Sequence, residues 1–283
     1  MSSLQPRNGL ESIAGVPYVF VPTPDYSGNG LGRLRNMFEF CRNLLANQQQ
    51  YEQLAGRPDV IVASSPHPYC FLPAWRLARK WNARLVFEVR DIWPLSLVQL
   101  AGLSRWHPLV LITGWIEKFA YRTADHVVSL LPGALAHMQV RGLPAERFHY
   151  IPNGAGLTAD GDSLSGSVSS NEPVLERARS LSGEGRFVVV YPGALGPPNN
   201  MLPLVEAAAL LQAEGNDQIQ FVVMGQGGER ASLEEKIDSL GLRNFHLFPQ
   251  AERRVALDLM RLASAGYVSV RRLPIYRFGI SFN

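Results

Sequence analysis

The segment YPGALGPPNN, residues 191–200, constrains the fold more than any other part of the chain. Phe187, Val188, Val189 and Val190 precede it, and such an unbroken apolar run reads as a buried parallel strand. The strand breaks into a glycine-rich loop that opens a helix. Gly193 and Gly196 would let backbone amides approach a ligand, and Asn199, followed by Asn200, is placed to cap the helix. The same grammar returns in FVVMGQGGE, residues 221–229, where Gly225, Gly227 and Gly228 follow a second apolar run. Two such turns about one βαβ unit apart point to a doubly wound sheet whose carboxyl edge carries a ligand crevice. Neither turn matches the dinucleotide fingerprint GxGxxG. Each by itself also fits an ordinary strand-to-helix turn, and both readings stand at this level.

With 283 residues and 46% hydrophobic content, the chain can bury the cores of two α/β domains of about 100–150 residues each. Strands are expected at 16–21, 59–63, 84–89, 125–130 and 147–151. Helical patterns fall at 31–54, 69–81, 94–122 with a break near Pro108, and 133–141. This series describes one Rossmann-like domain over residues 1–155. Composition then shifts to Gly, Ser, Asp and Asn, so 156–185 reads as a linker or insertion. A second Rossmann-like domain follows over 186–283, with strands near 187–191, 219–224, 244–248 and 266–270 and helices near 199–213, 229–240 and 251–263.

Residues 1–155 carry fifteen Lys and Arg against ten Asp and Glu, and the remainder carries twelve against fourteen. That mild positive charge suits an anionic small molecule or an acidic membrane surface, and is too dilute for a nucleic-acid footprint. Cys41 and Cys70 lack metal-ligand or CxxC spacing and read as core thiols of a reducing compartment. The amino terminus has no basic-then-apolar leader pattern, and no apolar run approaches the ~20 residues of a spanning helix, so a cytoplasmic chain is expected. No metal or bound cofactor is expected.

The segments DVIVASSPHPY, LVFEVRDIWPLSLVQLAGLS, ADHVVSLLPGALAHMQVRGLPAERFHYIPNG, GALGPPNN, VMGQGGER and PIYRFGISFN occur in one order. In that order the chain resembles the GT-B glycosyltransferases of family 4, within the branch that builds bacterial exopolysaccharide, capsule and O-antigen. The resemblance runs from about residue 15 to the end, with RDIWP and IPNG its most specific parts. It implies an α/β fold of two Rossmann-like domains, incomplete at both termini: the first βα unit is expected before residue 1, and a Lys and a closing helix after Asn283.

The resemblance implies transfer of a sugar from a nucleotide-sugar donor, UDP- or GDP-linked, to a glycan or polyprenyl-linked acceptor, with retention of configuration. The donor belongs on the carboxyl-terminal domain and the acceptor on the amino-terminal one. Helix starts at Asn199 and Gly228 would supply amides and dipole to the diphosphate leaving group without a metal. Relatives carry an Arg and a Lys where this chain has Ala194 and Asn199, so Arg271, Arg272 or Arg277 would have to supply the positive charge. The same arginines also read as solvated surface residues. Tyr276 stands where relatives often have Glu, and Gly279 and Ser281 complete the donor-side motif that the resemblance implies.

On the acceptor side, Arg90 and Asp91 follow strand 84–89. Asp91 either accepts the acceptor's hydroxyl proton with Arg90 orienting it, or caps the helix ahead of Pro94. His67 follows strand 59–63 between two prolines, and reads either as a ligand-contacting group or as a rigid loop residue. RWHPLVLITGWIEKFAYR, residues 105–122, mixes aromatics with cations. It fits peripheral contact with an anionic membrane, and equally a helix packed on a core with a solvated face. Two rivals to the transferase are a catalytically silent nucleotide-sugar binder or inactive fragment, and a Rossmann-type sugar-nucleotide epimerase or dehydrogenase. The latter lacks its ribose-binding acid here.

Overall fold

The computed structural model describes residues 10–13, 15–26, 30–65, 67–154 and 172–279. The chain divides into two units, Met1–Gly154 with Arg277–Ile280, and Ala155–Tyr276 with Ser281–Asn283. In the first, β1 (Leu10–Ile13) and β2 (Val16–Val19) form an antiparallel hairpin around Gly15, whose φ of 80° suits glycine. The strand expected over 16–21 is thus shorter and lies outside the main sheet, because residues 22–24 are held to the following helix instead. Asn43 donates to Pro22 O and Asn36 to Pro24 O, each at 2.8 Å. That helix is broken: α1 (Leu31–Ala46) and α2 (Gln48–Ala55) meet at Asn47, where one continuous helix over 31–54 was expected.

Then come β3 (Val60–Ser64), α3 (Phe71–Trp81), β4 (Arg84–Val89), α4 (Leu95–Gln99), α5 (Pro108–Thr123), β5 (His126–Ser129), α6 (Leu135–Val140) and β6 (Phe148–Tyr150). The four strands β3-β4-β5-β6 pair in that order, all parallel. Strand β4 alternates as a sheet requires: Leu85, Phe87 and Val89 are buried, and Phe87 meets Phe71 edge-on at 5.1 Å. The expected break near Pro108 is where α5 begins. Pro108 takes the first helical position, and His107 Nδ1 accepts from Leu109 N at 3.2 Å.

The second unit opens with α7 (Pro173–Gly183), which corrects the reading of 156–185 as linker throughout. Its Val174, Leu175, Ala178 and Leu181 are buried at helical spacing against the sheet. Next are β7 (Phe187–Pro192), α8 (Leu202–Ala213), β8 (Ile219–Met224), α9 (Arg230–Ser239), β9 (Phe245–Phe248), α10 (Arg253–Arg261) and β10 (Ala265–Gly266). The parallel order is β10-β7-β8-β9. Alternate residues feed two cores: Tyr191, Phe221 and Val223 pack with α8 and α9, while Val188, Val190 and Val222 pack with α7 and α10. Helices on both faces make this a doubly wound sheet. Strand β10 is only two residues long where 266–270 was expected. Tyr267 N still reaches Val190 O at 2.8 Å, and the chain then leaves the sheet.

Candidate functional site

The two glycine loops of the second unit leave the carboxyl ends of the neighbouring strands β7 and β8 and lace together. Gly193 N donates to Met224 O at 3.0 Å, Leu195 N to Gln226 O at 2.9 Å, and Glu229 N back to Leu195 O at 3.0 Å. Gly225 N donates to Phe248 O at 3.1 Å. The amides of Gly193 and Gly225 are therefore committed to protein carbonyls, which corrects their expected role as free phosphate donors. A Cβ on Gly225 would lie 1.9 Å from Gly193 O, and one on Gly227 2.1 Å from Leu195 O. Glycine is required there by the other loop. Gly196 is different, since its nearest such neighbour is Pro198 Cδ at 3.7 Å. Among the described residues, the amides of Ala194, Gly196, Gln226, Gly227 and Gly228 donate to no backbone carbonyl.

Asn199 does not cap α8. It lies in a 3₁₀ turn over Pro197–Asn199, its Nδ2 donates to Ala194 O at 2.7 Å, and the cap position belongs to Met201 without a side-chain bond. Tyr191 Oη donates to the same carbonyl at 2.8 Å, and burial pushes this phenol up to about 12. Asn200 turns the chain with φ 44°. Likewise α9 starts at Arg230, beyond Gly228. Arg271 does join the loops, its N donating to Pro198 O at 3.1 Å and its guanidinium to Glu229 Oε1 at 2.8 Å. Arg272 is exposed. Tyr276 N bonds Leu273 O within the 3₁₀ segment Pro274–Phe278. Gly279 belongs with the first unit, where a Cβ would lie 2.6 Å from Leu131 Cδ2, and Arg277 stacks on Phe278 at 4.8 Å. Ser281 lies outside the described residues.

Sequence reasoning missed Glu229, the partner of Arg271. It also missed Arg230, which ties the loop after β8 to the end of β9 by donating to Gly225 O at 2.8 Å and Phe248 O at 2.7 Å. An Arg beside a helix start carries no local mark of either role.

In the first unit the carboxyl ends of adjacent β3 and β4 bring Ser65, His67, Arg90 and Asp91 into one region. Buried Ser65 Oγ accepts from Arg90 N at 3.3 Å. His67 is 7% exposed, and its Nδ1 has no hydrogen-bond partner among the described residues. Burial, assisted by Arg33, depresses this imidazole to about 4 and keeps it neutral at pH 7. Partial enclosure raises the Asp91 carboxyl, against the opposing pull of Arg90 and Arg33. The side chain still meets water, which screens both effects. Asp91 is not a helix cap, because α4 has Pro94 at its cap position with no side-chain bond. Arg33, unnoticed in the sequence, is the cation common to His67 and Asp91. It lines a largely apolar cavity of about 680 Å³ together with Asn36, Ser64 and His67.

Residues 2–154 match the family model described as glycosyl transferase 4-like domain, and residues 175–272 match glycosyl transferases group 1. The chain belongs to the family-4 glycosyltransferases. This glycosyltransferase chain is 23% identical over 219 residues to WcaI of Escherichia coli (strain K12), whose name assigns it to colanic acid biosynthesis. The match covers 76% of this chain and 52% of WcaI. It is 33% identical over 134 residues to the alpha-D-kanosaminyltransferase of Streptomyces kanamyceticus, 47% of this chain and 33% of that one. The chain thus spans about half of WcaI and a third of the kanosaminyltransferase. Among solved structures, HepE of Anabaena in complex with UDP-glucose superposes with a TM-score of 0.56 at 17% identity, over 86% of this chain and 58% of HepE. WaaG, a glycosyltransferase involved in lipopolysaccharide biosynthesis, gives 0.60 at 17%, over 89% and 62%. These likenesses establish the GT-B fold of two Rossmann-like domains.

Proposed function

We propose that this chain carries the donor- and acceptor-binding parts of a glycosyltransferase. It would move a sugar from a nucleotide-sugar, UDP- or GDP-linked, to a glycan or polyprenyl-linked acceptor with retention, in the synthesis of a bacterial surface polysaccharide at the cytoplasmic membrane face. The observation that carries this reading is the pair of laced loops at the carboxyl edge of β7 and β8, within a chain that two glycosyltransferase models match. The loops there carry amides that donate to no backbone carbonyl, and Arg271 bonds to both loops. Departure of a nucleoside diphosphate builds negative charge on its terminal phosphate, and fixed N–H dipoles with a guanidinium stabilise that charge more than they stabilise the bound donor. Uridine is favoured as the base because the HepE structures hold UDP and UDP-glucose.

In the first unit, neutral His67 with its Nδ1 available, and Asp91 beside Arg90, are the groups proposed to meet the acceptor hydroxyl. The experiment is calorimetric titration of the chain with UDP and GDP, alone and with Arg271→Ala. Binding of one nucleotide that weakens at least tenfold in the variant is the expected result. No binding of either, or affinity indifferent to Arg271, would overturn the donor-site reading.

A further inference from the structure

The amino ends of β7, β8 and β9, at the edge of the sheet opposite the glycine loops, carry a pocket of about 380 Å³. That volume falls within the range of small-molecule sites. Arg177 on α7, Arg186 before β7 and Arg243 before β9 line it, together with Gln220 on β8 and Asn244. The carboxyl ends of α7 and α8 also reach this edge, and their dipoles explain why cations gather there. They do not explain how those cations are partnered. Arg186 is paired, with Asp217 at 3.0 Å and Glu184 at 3.7 Å. The Arg243 guanidinium is exposed and has no hydrogen bond or ion pair among the described residues.

Arg177 lies with its Nη2 3.4 Å from His246 Nε2, and the bonds around that histidine decide what the contact is worth. Gln220 Nε2 donates to Asp217 O at 2.8 Å, which turns Gln220 Oε1 toward His246. At 2.9 Å from that oxygen, His246 Nε2 must be the donor. A nitrogen that donates to Gln220 offers no lone pair to Arg177. Burial, assisted by Arg177, lowers this imidazole to about 4, so it stays neutral and adds no charge of its own at pH 7. Two guanidiniums therefore line the pocket without an acceptor among the described residues. The inner wall has the opposite lack. Asn244 is 3% exposed, and its Nδ2 donates to Ala208 O at 2.9 Å, which fixes the amide's orientation. Its Oδ1 has no hydrogen-bond partner among the described residues, a costly state for a buried carbonyl. The pocket thus calls for an anion that also carries an O–H or N–H.

We propose that this pocket binds a phosphate monoester of a hydroxylated small molecule, a sugar phosphate, with its phosphate on Arg177 and Arg243 and a hydroxyl donating to Asn244 Oδ1. A phosphate monoester brings close to two negative charges and three acceptor oxygens, enough for two guanidinium forks, where a carboxylate brings one charge and two oxygens. Lying across the sheet from the laced loops, it is an effector site separate from the proposed donor site. The inference stands apart from the transferase reading, since the binding is measured without nucleotide or turnover.

The test is calorimetric titration of the whole chain at neutral pH with glucose 6-phosphate, inorganic phosphate, sulfate and glucose. The expected result is that glucose 6-phosphate binds and glucose does not. Inorganic phosphate, which must reach both arginines and Asn244 with one small group, should bind roughly 5-fold more weakly than the ester. Sulfate has no proton to donate to Asn244 Oδ1 and should bind about 10-fold more weakly or not at all. Arg177→Gln and Arg243→Gln should each weaken the ester roughly 10-fold, with unchanged circular dichroism confirming that the variants fold. Arg271→Ala, at the opposite edge of the sheet, should leave that affinity unchanged. The comparison with sulfate needs no substitution at all. An absence of binding by the ester, sulfate or inorganic phosphate binding as tightly as the ester, indifference to both Arg177→Gln and Arg243→Gln, or loss of binding in Arg271→Ala would each overturn the proposal.

Discussion

Replacing Gly227 with Ala should destabilise the second unit severely, whereas Gly196→Ala should be nearly silent. The added methyl at 227 would lie 2.1 Å from Leu195 O, 2.5 Å from its carbonyl carbon and 2.9 Å from its nitrogen. These are backbone atoms and cannot rotate aside, so the loops must separate. Separation breaks the two hydrogen bonds centred on Leu195, to Gln226 O and from Glu229 N, at about 1 kcal/mol each net. It also lifts the Leu195 side chain, now 0% exposed, toward water, and full exposure would cost about 1.5–3 kcal/mol. The expected loss is roughly 3–5 kcal/mol, at the extreme of single-substitution effects. At 196 the methyl meets only Pro198 Cδ at 3.7 Å with φ −131°, so a change within about 0.5 kcal/mol of either sign is expected. Urea unfolding can tell the units apart, because all five tryptophans, from Trp75 to Trp115, lie in the first unit. Tryptophan fluorescence should report an unmoved transition while hydrogen exchange of β8 and its loop accelerates in Gly227→Ala alone. Equal stability of the two variants, or a fall in both, would refute the steric argument.

Asp91→Asn should lower sugar-transfer turnover roughly 100-fold with nucleotide affinity retained; a rate within about threefold of the parent would strike Asp91 from the proposed chemistry. His67, held near 4 against about 6.5 unfolded, favours the neutral form, so its contribution to stability is complete above pH 6.5 and is lost as pH falls toward 4. Urea melts followed by tryptophan fluorescence should show that decline and its flattening in His67→Gln; parallel slopes would count against it. Glu229→Gln should raise UDP affinity several-fold by releasing Arg271, and should have no effect in an Arg271→Ala background. An effect that survives Arg271→Ala would mean that Glu229 acts on the nucleotide by another route.

The parallel strands were legible because runs such as Val188–Val190 and the alternation of Leu85, Phe87 and Val89 state their burial directly. Helix α7 was hidden by the Gly- and Ser-rich stretch before it, although the spacing of Val174, Ala178 and Leu181 behind a first-turn Pro173 carried the signal. The importance of Gly225 and Gly227 was readable but its cause was not, since only the folded chain shows another loop's carbonyl where a Cβ would go. A capping role was one of the two readings of Asp91, because a Pro follows closely. The helix begins only at Leu95, too far along for that carboxylate to reach its first amides.

Ala194 and Asn199, where the resemblance implies an Arg and a Lys, have a physical role of their own in the loop. Ala194 presents a carbonyl that both Tyr191 Oη and Asn199 Nδ2 hold, so these positions fix the shape of the loop. In the proposed donor site the cation would be Arg271, which reaches the same loop from beyond β10 through Pro198 O. Its pairing with Glu229 does not forbid that role. The two side chains are 46% and 25% exposed, and an ion pair so open to water is worth only about 0–1 kcal/mol. A diphosphate offers a larger charge and the paired oxygens that a guanidinium fork matches. On the proposed reading, Glu229 would be a weak competitor that holds Arg271 at the loops until such an anion displaces it.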